Sequence, residues 1–213
     1  HGISELGPIL DKSGGVFYSD ASSIRPSPIY LLGLNPGGAP EHQPNATVRA
    51  SLEAFPSKKI NDYLDDDWAS RDKSWGKGQA PLQKRVIWLL EQLKQNPRSV
   101  PCSNLIFIRS DNSSHLAYHE LADLCWKLHD RVLNIVSPKL LLVYGVGSKS
   151  PYNYLYNRYK PSNEQLFPSG HGNWVCRSFR TDNFTVIGLP HLSRYNVIDK
   201  YDVIHWIKKT SQL

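Results

Sequence analysis

The chain has 213 residues, 40% of them hydrophobic and 21% charged, with a formal net charge of +6. That length suits one domain, or at most two small ones, with a real core, and the composition excludes a disordered chain. No apolar run reaches the ~18 residues needed to span a bilayer, and three scattered cysteines (Cys102, Cys125, Cys176) exclude a disulfide framework and a zinc or iron–sulfur site.

Ile29-Tyr30-Leu31-Leu32 predicts a short buried strand, closed by Gly33-Leu34-Asn35-Pro36-Gly37-Gly38. The polar stretch 39–80, with Trp68 and Trp75, reads as a loop-rich excursion holding one short helix near 46–54 or 58–67. Pro81 opens a helix over 81–95 whose apolar face is Leu82, Val86, Leu89, Leu90 and Leu93. Leu105-Ile106-Phe107-Ile108 is a second strand candidate, followed by the polar loop 109–114. A helix over 117–136 buries Leu121, Leu124, Cys125, Leu128, Val132 and Ile135, and Pro138 ends it. Leu140 to Tyr144 is a fully apolar third strand. Gly145-Val146-Gly147-Ser148 then leads into a short helix near 149–158, and 161–173 reads as loop. Trp174 to Phe179 and Phe184 to Ile187 are strands, and 196–210 is the final helix. The alternation predicts a three-layer α/β/α sandwich around a central, mainly parallel sheet of about four strands, in one domain over 1–213.

Charge is uneven along the chain. Residues 1–100 hold 12 Lys/Arg against 11 Asp/Glu, and the remainder 13 against 8. A basic second half is compatible with a polyanionic partner, because Lys and Arg neutralise phosphates. The cysteine usage fits a reduced cytoplasmic or nuclear setting.

The loop after the first strand carries the strongest signal. Pro36 fixes one φ and pushes Asn35 out of the helical region, while Gly37 and Gly38 allow close backbone approach. Asn35 is thus held at the carboxyl end of a strand, where open α/β sheets bind ligands. A strand-ending turn without chemistry is the other reading. In a parallel sheet the loops at Asn35, Asn112, Gly145–Ser148 and His191–Ser193 share one edge and can line one cleft. His115 and His119 stand four apart, but no third metal ligand accompanies them.

The pairing of Gly33-Leu34-Asn35-Pro36-Gly37 with His191-Leu192-Ser193 resembles the uracil-DNA glycosylase superfamily, in its Gly-x-Asn-Pro-Gly branches. The resemblance spans about 28–210 through the order of strands and helices. It implies a monofunctional DNA glycosylase that flips out a deaminated, damaged or modified base and hydrolyses its N-glycosidic bond without metal or cofactor. Asn35 would hold the attacking water and His191 would donate to the departing base. Gly33, Leu34, Pro36 and Gly37 would frame the base, with Asn112 reading its edge and Asp111 as a rival. Asn104 reads as a structural turn residue. The family's pocket aromatic is replaced here by Thr47 and Val48, so Phe55, Tyr63, Trp68 or Trp75 is expected to supply it, Phe55 first. Gly38, Ser148, Lys149, Ser193 and Arg194 would contact DNA, and Tyr195 would be the wedge that fills the gap. Lys149 is also the nearest candidate for Schiff-base chemistry. A monomer acting on DNA, with no membrane association, is expected, in repair or in defence against phage with modified DNA. The alternatives are a non-catalytic nucleic-acid-binding module on the same fold and a nucleoside or nucleotide hydrolase.

Overall fold

A computed structural model describes residues 4–70, 72–112 and 116–213. In chain order its regular elements are β1 (Ile29–Gly33), α1 (Val48–Ala54), α2 (Asp62–Asp65), β2 (Trp68–Ser70), β3 (Lys73–Trp75), α3 (Pro81–Gln92) and β4 (Cys102–Asn104). They continue with α4 (Tyr118–Val136), β5 (Leu140–Tyr144), α5 (Pro151–Tyr159), β6 (Gln165–Pro168), β7 (Val175–Arg180), β8 (Thr185–Leu189) and α6 (Tyr201–Ser211). The central sheet has six strands in the order β4-β1-β5-β8-β7-β6, and β2 and β3 form a separate hairpin. Strands β4, β1, β5 and β8 are mutually parallel, whereas β7 runs antiparallel to both β8 and β6. The parallel α/β core expected from the sequence is present, widened by an antiparallel hairpin.

Strand periodicity sorts the core into two layers. Tyr30, Leu32, Leu141, Val143 and Val186 pack on one face with residues of α4 and α5, including Trp126 and Leu155. Ile29, Leu31, Leu140, Leu142 and Ile187 face the other way onto α3 and α6, including Leu89 and Ile207. Side chains alternate across a strand, so two-sided burial makes each strand read as continuously apolar.

Three local expectations are corrected. The second strand is Cys102–Asn104, not 105–108. Leu105 and Ile106 still donate backbone hydrogen bonds to Gly33 and Leu34, but the ladder stops at Asn104 because β1 ends at the Asn35-Pro36 turn. Segment 161–173 contains β6, whose alternation is hidden because it is an edge strand with Leu166 63% exposed. On α4, Ile135 is exposed, while Ala122, Trp126, His129 and Val136 share the buried stripe with Cys125 and Val132. Among the described residues no helix is long and apolar enough to cross a membrane.

Candidate functional site

Parallel strands place their carboxyl ends together, and four adjacent ones carry the side chains of interest. Asn35 follows β1, Asn104 ends β4, Tyr144 ends β5 and His191 lies just beyond β8. The register pairs Gly33 with Asn104 across β1 and β4.

Asn35 is half-buried and its amide nitrogen donates to the carbonyls of Pro36 (2.9 Å) and Ile108 (3.4 Å). Both partners are acceptors, so the group facing them is the NH₂ and Oδ1 is left to accept from elsewhere. The loop is braced from the segment after β4. Ser110 donates its backbone N–H to Pro36 O (3.1 Å), and the Arg109 guanidinium donates to Gly37 O. Leu34 packs its side chain into the core with Val48 and Phe107. Pro36 is buried, and Gly37 and Gly38 are exposed.

Asn104 is 3% exposed, and its Nδ2 is buried without a partner. A buried amide donor that stays unpaired costs roughly 1–3 kcal/mol, so it calls for an explanation. Its Oδ1 lies where a side chain on residue 33 would be: a Cβ on Gly33 would come 2.2 Å from that oxygen and 2.4 Å from the Tyr144 hydroxyl. The Tyr144 hydroxyl is bonded in turn to Tyr63 (2.8 Å). Tyr18 lies against Asn104, and its ring contacts Tyr63 (5.6 Å) and Trp68 (6.2 Å). Burial pushes the Tyr18 phenol up to about 12, with Arg109 and the Asn104 amide pulling the other way. The Asn104 amide thus makes no hydrogen bond of regular geometry but acts on the Tyr18 hydroxyl, among tyrosine rings and the Trp68 face.

His191 is half-buried and packs edge-on to Tyr144, with ring centres 5.2 Å apart. Its Nδ1 accepts from the backbone N–H of Ser193 (3.2 Å) and lies 2.8 Å from the Ser193 hydroxyl. A backbone N–H can only donate, so Nδ1 carries the lone pair and the neutral ring holds its proton on Nε2. Burial lowers the His191 pKa, and nearby Arg194 lowers it further. The result is a neutral imidazole with a fixed N–H donor. Arg85 of α3 holds the loop by donating to Leu192 O (2.6 Å) and Ser193 O (2.8 Å).

Several predicted site residues fall elsewhere. Tyr195 is not a wedge: it is fully buried and its hydroxyl donates to Ser169 O (2.6 Å). Ser193 is exposed on the expected edge, with its hydroxyl 2.8 Å from Nδ1 of His191, where it helps orient the imidazole. Phe55 stacks on Phe17 (4.2 Å) against the core, and Tyr18, Tyr63 and Trp68 supply the aromatic wall. Asn112 and its rival Asp111 are exposed, whereas Asn104, first read as a turn residue, is the buried amide at the strand end. Ser148, Lys149 and Arg194 are exposed on the same edge. His119 is exposed near the start of α4, and His115 lies outside the described residues. Among the described residues no group of three or more His, Cys, Asp or Glu is placed to hold a metal ion.

Tyr18 and Arg85 were missed because each is far in sequence from any motif, and Tyr144 because it reads only as the last residue of an apolar strand. Asn104 did carry a signal: Pro101 marks the start of a strand, and Asn104 is then its fourth residue. No family model matches the chain, and no curated protein matches it either.

Proposed function

We propose that the chain is a monofunctional DNA glycosylase, in which a flipped base is cut from its sugar by a water held on Asn35. The observation that carries this reading is an oriented acceptor, Asn35 Oδ1, and an oriented neutral donor, His191 Nε2–H, at the carboxyl ends of two parallel strands that flank β5. Breaking the C1′–N bond sends its electron pair onto the base, and the sugar passes through an oxocarbenium-like state. His191 donates to the base oxygen that gathers this charge, a kind of contact whose loss typically costs roughly 10²–10³ in rate. The water adds to C1′ and releases its proton to solvent. A carboxamide orients water but is a poor base, so turnover depends on how well the base leaves.

Asn104 takes over base reading from Asn112 in this proposal. Its Nδ2 lacks a hydrogen bond of regular geometry, and a base carbonyl that reached it as Tyr18 moved aside would satisfy the amide. Tyr18 and Trp68 supply the faces for stacking. The protein would act on DNA in the cytoplasm as a monomer, in repair or in defence against phage with modified DNA.

The decisive experiment incubates the protein with oligonucleotides bearing a lesion panel, including uracil and bulky modified pyrimidines, followed by alkali. Wild-type protein is expected to yield abasic sites on at least one substrate, and Asn35→Ala to yield none while still binding DNA. Full activity in Asn35→Ala would sink the mechanism. Salt-dependent binding with no cleavage of any lesion would leave a binding module, and base release from free nucleosides would indicate a nucleoside hydrolase.

A further inference from the structure

The hairpin between β6 and β7 adds a second aromatic feature to the same edge of the molecule. Strand β6 runs parallel to β8, so its turn, 169–174, emerges at the edge that carries Asn35 and His191. The turn is tied to the chain beyond β8 at two points: the Tyr195 hydroxyl donates to Ser169 O (2.6 Å) and Lys200 Nζ to Gly170 O (2.7 Å). It is also internally closed. Trp174 N donates to His171 O (3.1 Å), Ser169 N to Trp174 O (3.0 Å) and His171 N to Ser169 Oγ (3.2 Å). Gly170 and Gly172 sit at φ of +70° and +51°, which glycine adopts without strain.

On this rigid tip Trp174 is 41% exposed, and the His171 ring lies 4.7 Å from it. A groove of about 380 Å³ runs beside it, lined by Leu166, Pro168 and Gly172 among others. An indole held in place over an apolar floor gives a planar ligand a stacking face at little entropic cost. An exposed cation stands beside the turn for a phosphate to meet: Arg194 adjoins Tyr195, whose ring lies 6.4 Å from that of His171, while the half-buried Lys200 is flanked by Asp199 and Asp202.

We infer that the 169–174 hairpin is a strand-holding finger: Trp174 stacks on a nucleobase of the bound DNA outside the excision cleft, with Arg194 neutralising a phosphate beside it. Stacking on aromatic side chains tolerates any base, because every base has a π-face. The finger would therefore add affinity without adding sequence preference. This inference rests on the reading of the cleft as a DNA site.

The test measures binding of end-labelled single-stranded and duplex oligonucleotides by fluorescence anisotropy across a salt series. Trp174→Ala is expected to weaken binding by about tenfold or more, with the salt slope unchanged, and Trp174→Phe to restore most of the loss. Arg194→Ala should instead reduce the salt slope by about one. Trp174 is exposed, so thermal melts of the variants should match wild type. Unchanged affinity in Trp174→Ala, while wild-type binding is salt-dependent, overturns the finger and leaves the cleft reading standing. No binding by wild-type protein overturns both. Self-association in sedimentation runs that Trp174→Ala abolishes, with DNA binding intact, assigns this face to a second copy and also overturns the inference.

Discussion

Gly33 shows how one residue sets the geometry at the strand ends. Its hydrogen stands where any Cβ would overlap the Asn104 amide oxygen and the Tyr144 hydroxyl, both held from other strands. Neither neighbour is the free end of a flexible chain, since Asn104 is buried at its strand end and Tyr144 is anchored by Tyr63. Gly33→Ala is therefore expected to destabilise the fold by about 1–3 kcal/mol through overpacking. A urea titration would check this, and a variant as stable as wild type would show that Asn104 can move. The same closeness explains why Gly33 precedes the Asn-Pro pair. Asn35 itself was legible because proline and glycine punctuation has fixed conformational meaning. Asn104 was legible only as a strand residue after Pro101, because its surroundings come from Tyr18 and Tyr144, which no local pattern connects to it.

At the scale of elements, α3 reaches across to the loop after β8. Arg85 donates to two consecutive carbonyls, Leu192 O and Ser193 O, directly beside the residues that orient His191. It is a positioning residue, acting on the proposed reaction only through the loop. Removing it with Arg85→Ala frees those carbonyls and loosens the imidazole, and small misplacements at a reacting centre are costly. The expected outcome is a loss of roughly tenfold or more in kcat with KM barely changed, and Arg85→Lys restores part of it. Single-turnover kinetics on the preferred lesion separates these effects. A purely structural role would lower the melting temperature and leave kcat intact. Helices and central strands were read well from sequence because their apolar periodicity is strong, as in α3 and β5. The edge elements were not. Strand β6 has only one neighbour and exposes most of its side chains, and β4 is three residues long, so neither leaves a periodic trace.

For the whole molecule, one buried and one half-buried ionisable group oppose each other in their effect on acid stability. His129 lies in the core, where its Nδ1 pairs with the Tyr30 hydroxyl (2.9 Å) and its Nε2 with Asn104 O (3.0 Å). Burial lowers its pKa to about 4. Between about pH 6.5 and 4 the unfolded chain binds a proton that the folded protein excludes, so His129 weakens the fold as pH falls, by up to roughly 3 kcal/mol. Asp62 acts in the reverse sense. Burial raises its carboxyl to about 6 despite the Lys58 ammonium 2.7 Å away, so the folded protein gains the proton first and is favoured as pH falls from 6 to about 3.8. The two slopes largely cancel. Asp62→Asn should unmask the histidine, making the urea midpoint fall more steeply between pH 6.5 and 4 than in wild type. An unchanged slope would remove His129 from the account.

The amino-terminal segment also has a kinetic consequence. Residues 14–18 bond along the open side of β4 and its continuation, through the Phe17–Ser103 and Gly14–Ile108 bridges and the Tyr18 N–H to Cys102 O. Tyr18 is at once the partner of that edge and a neighbour of Asn104 and Trp68. These pairings join residues more than eighty positions apart, so their loop-closure entropy is met only after the more local helices have formed. The β1–β5 pairing spans still more of the chain, since Ile29 lies opposite Leu140, so this edge and the central sheet close late together. A chain emerging from synthesis presents the whole of the edge, residues 14–108, before β5 has been made.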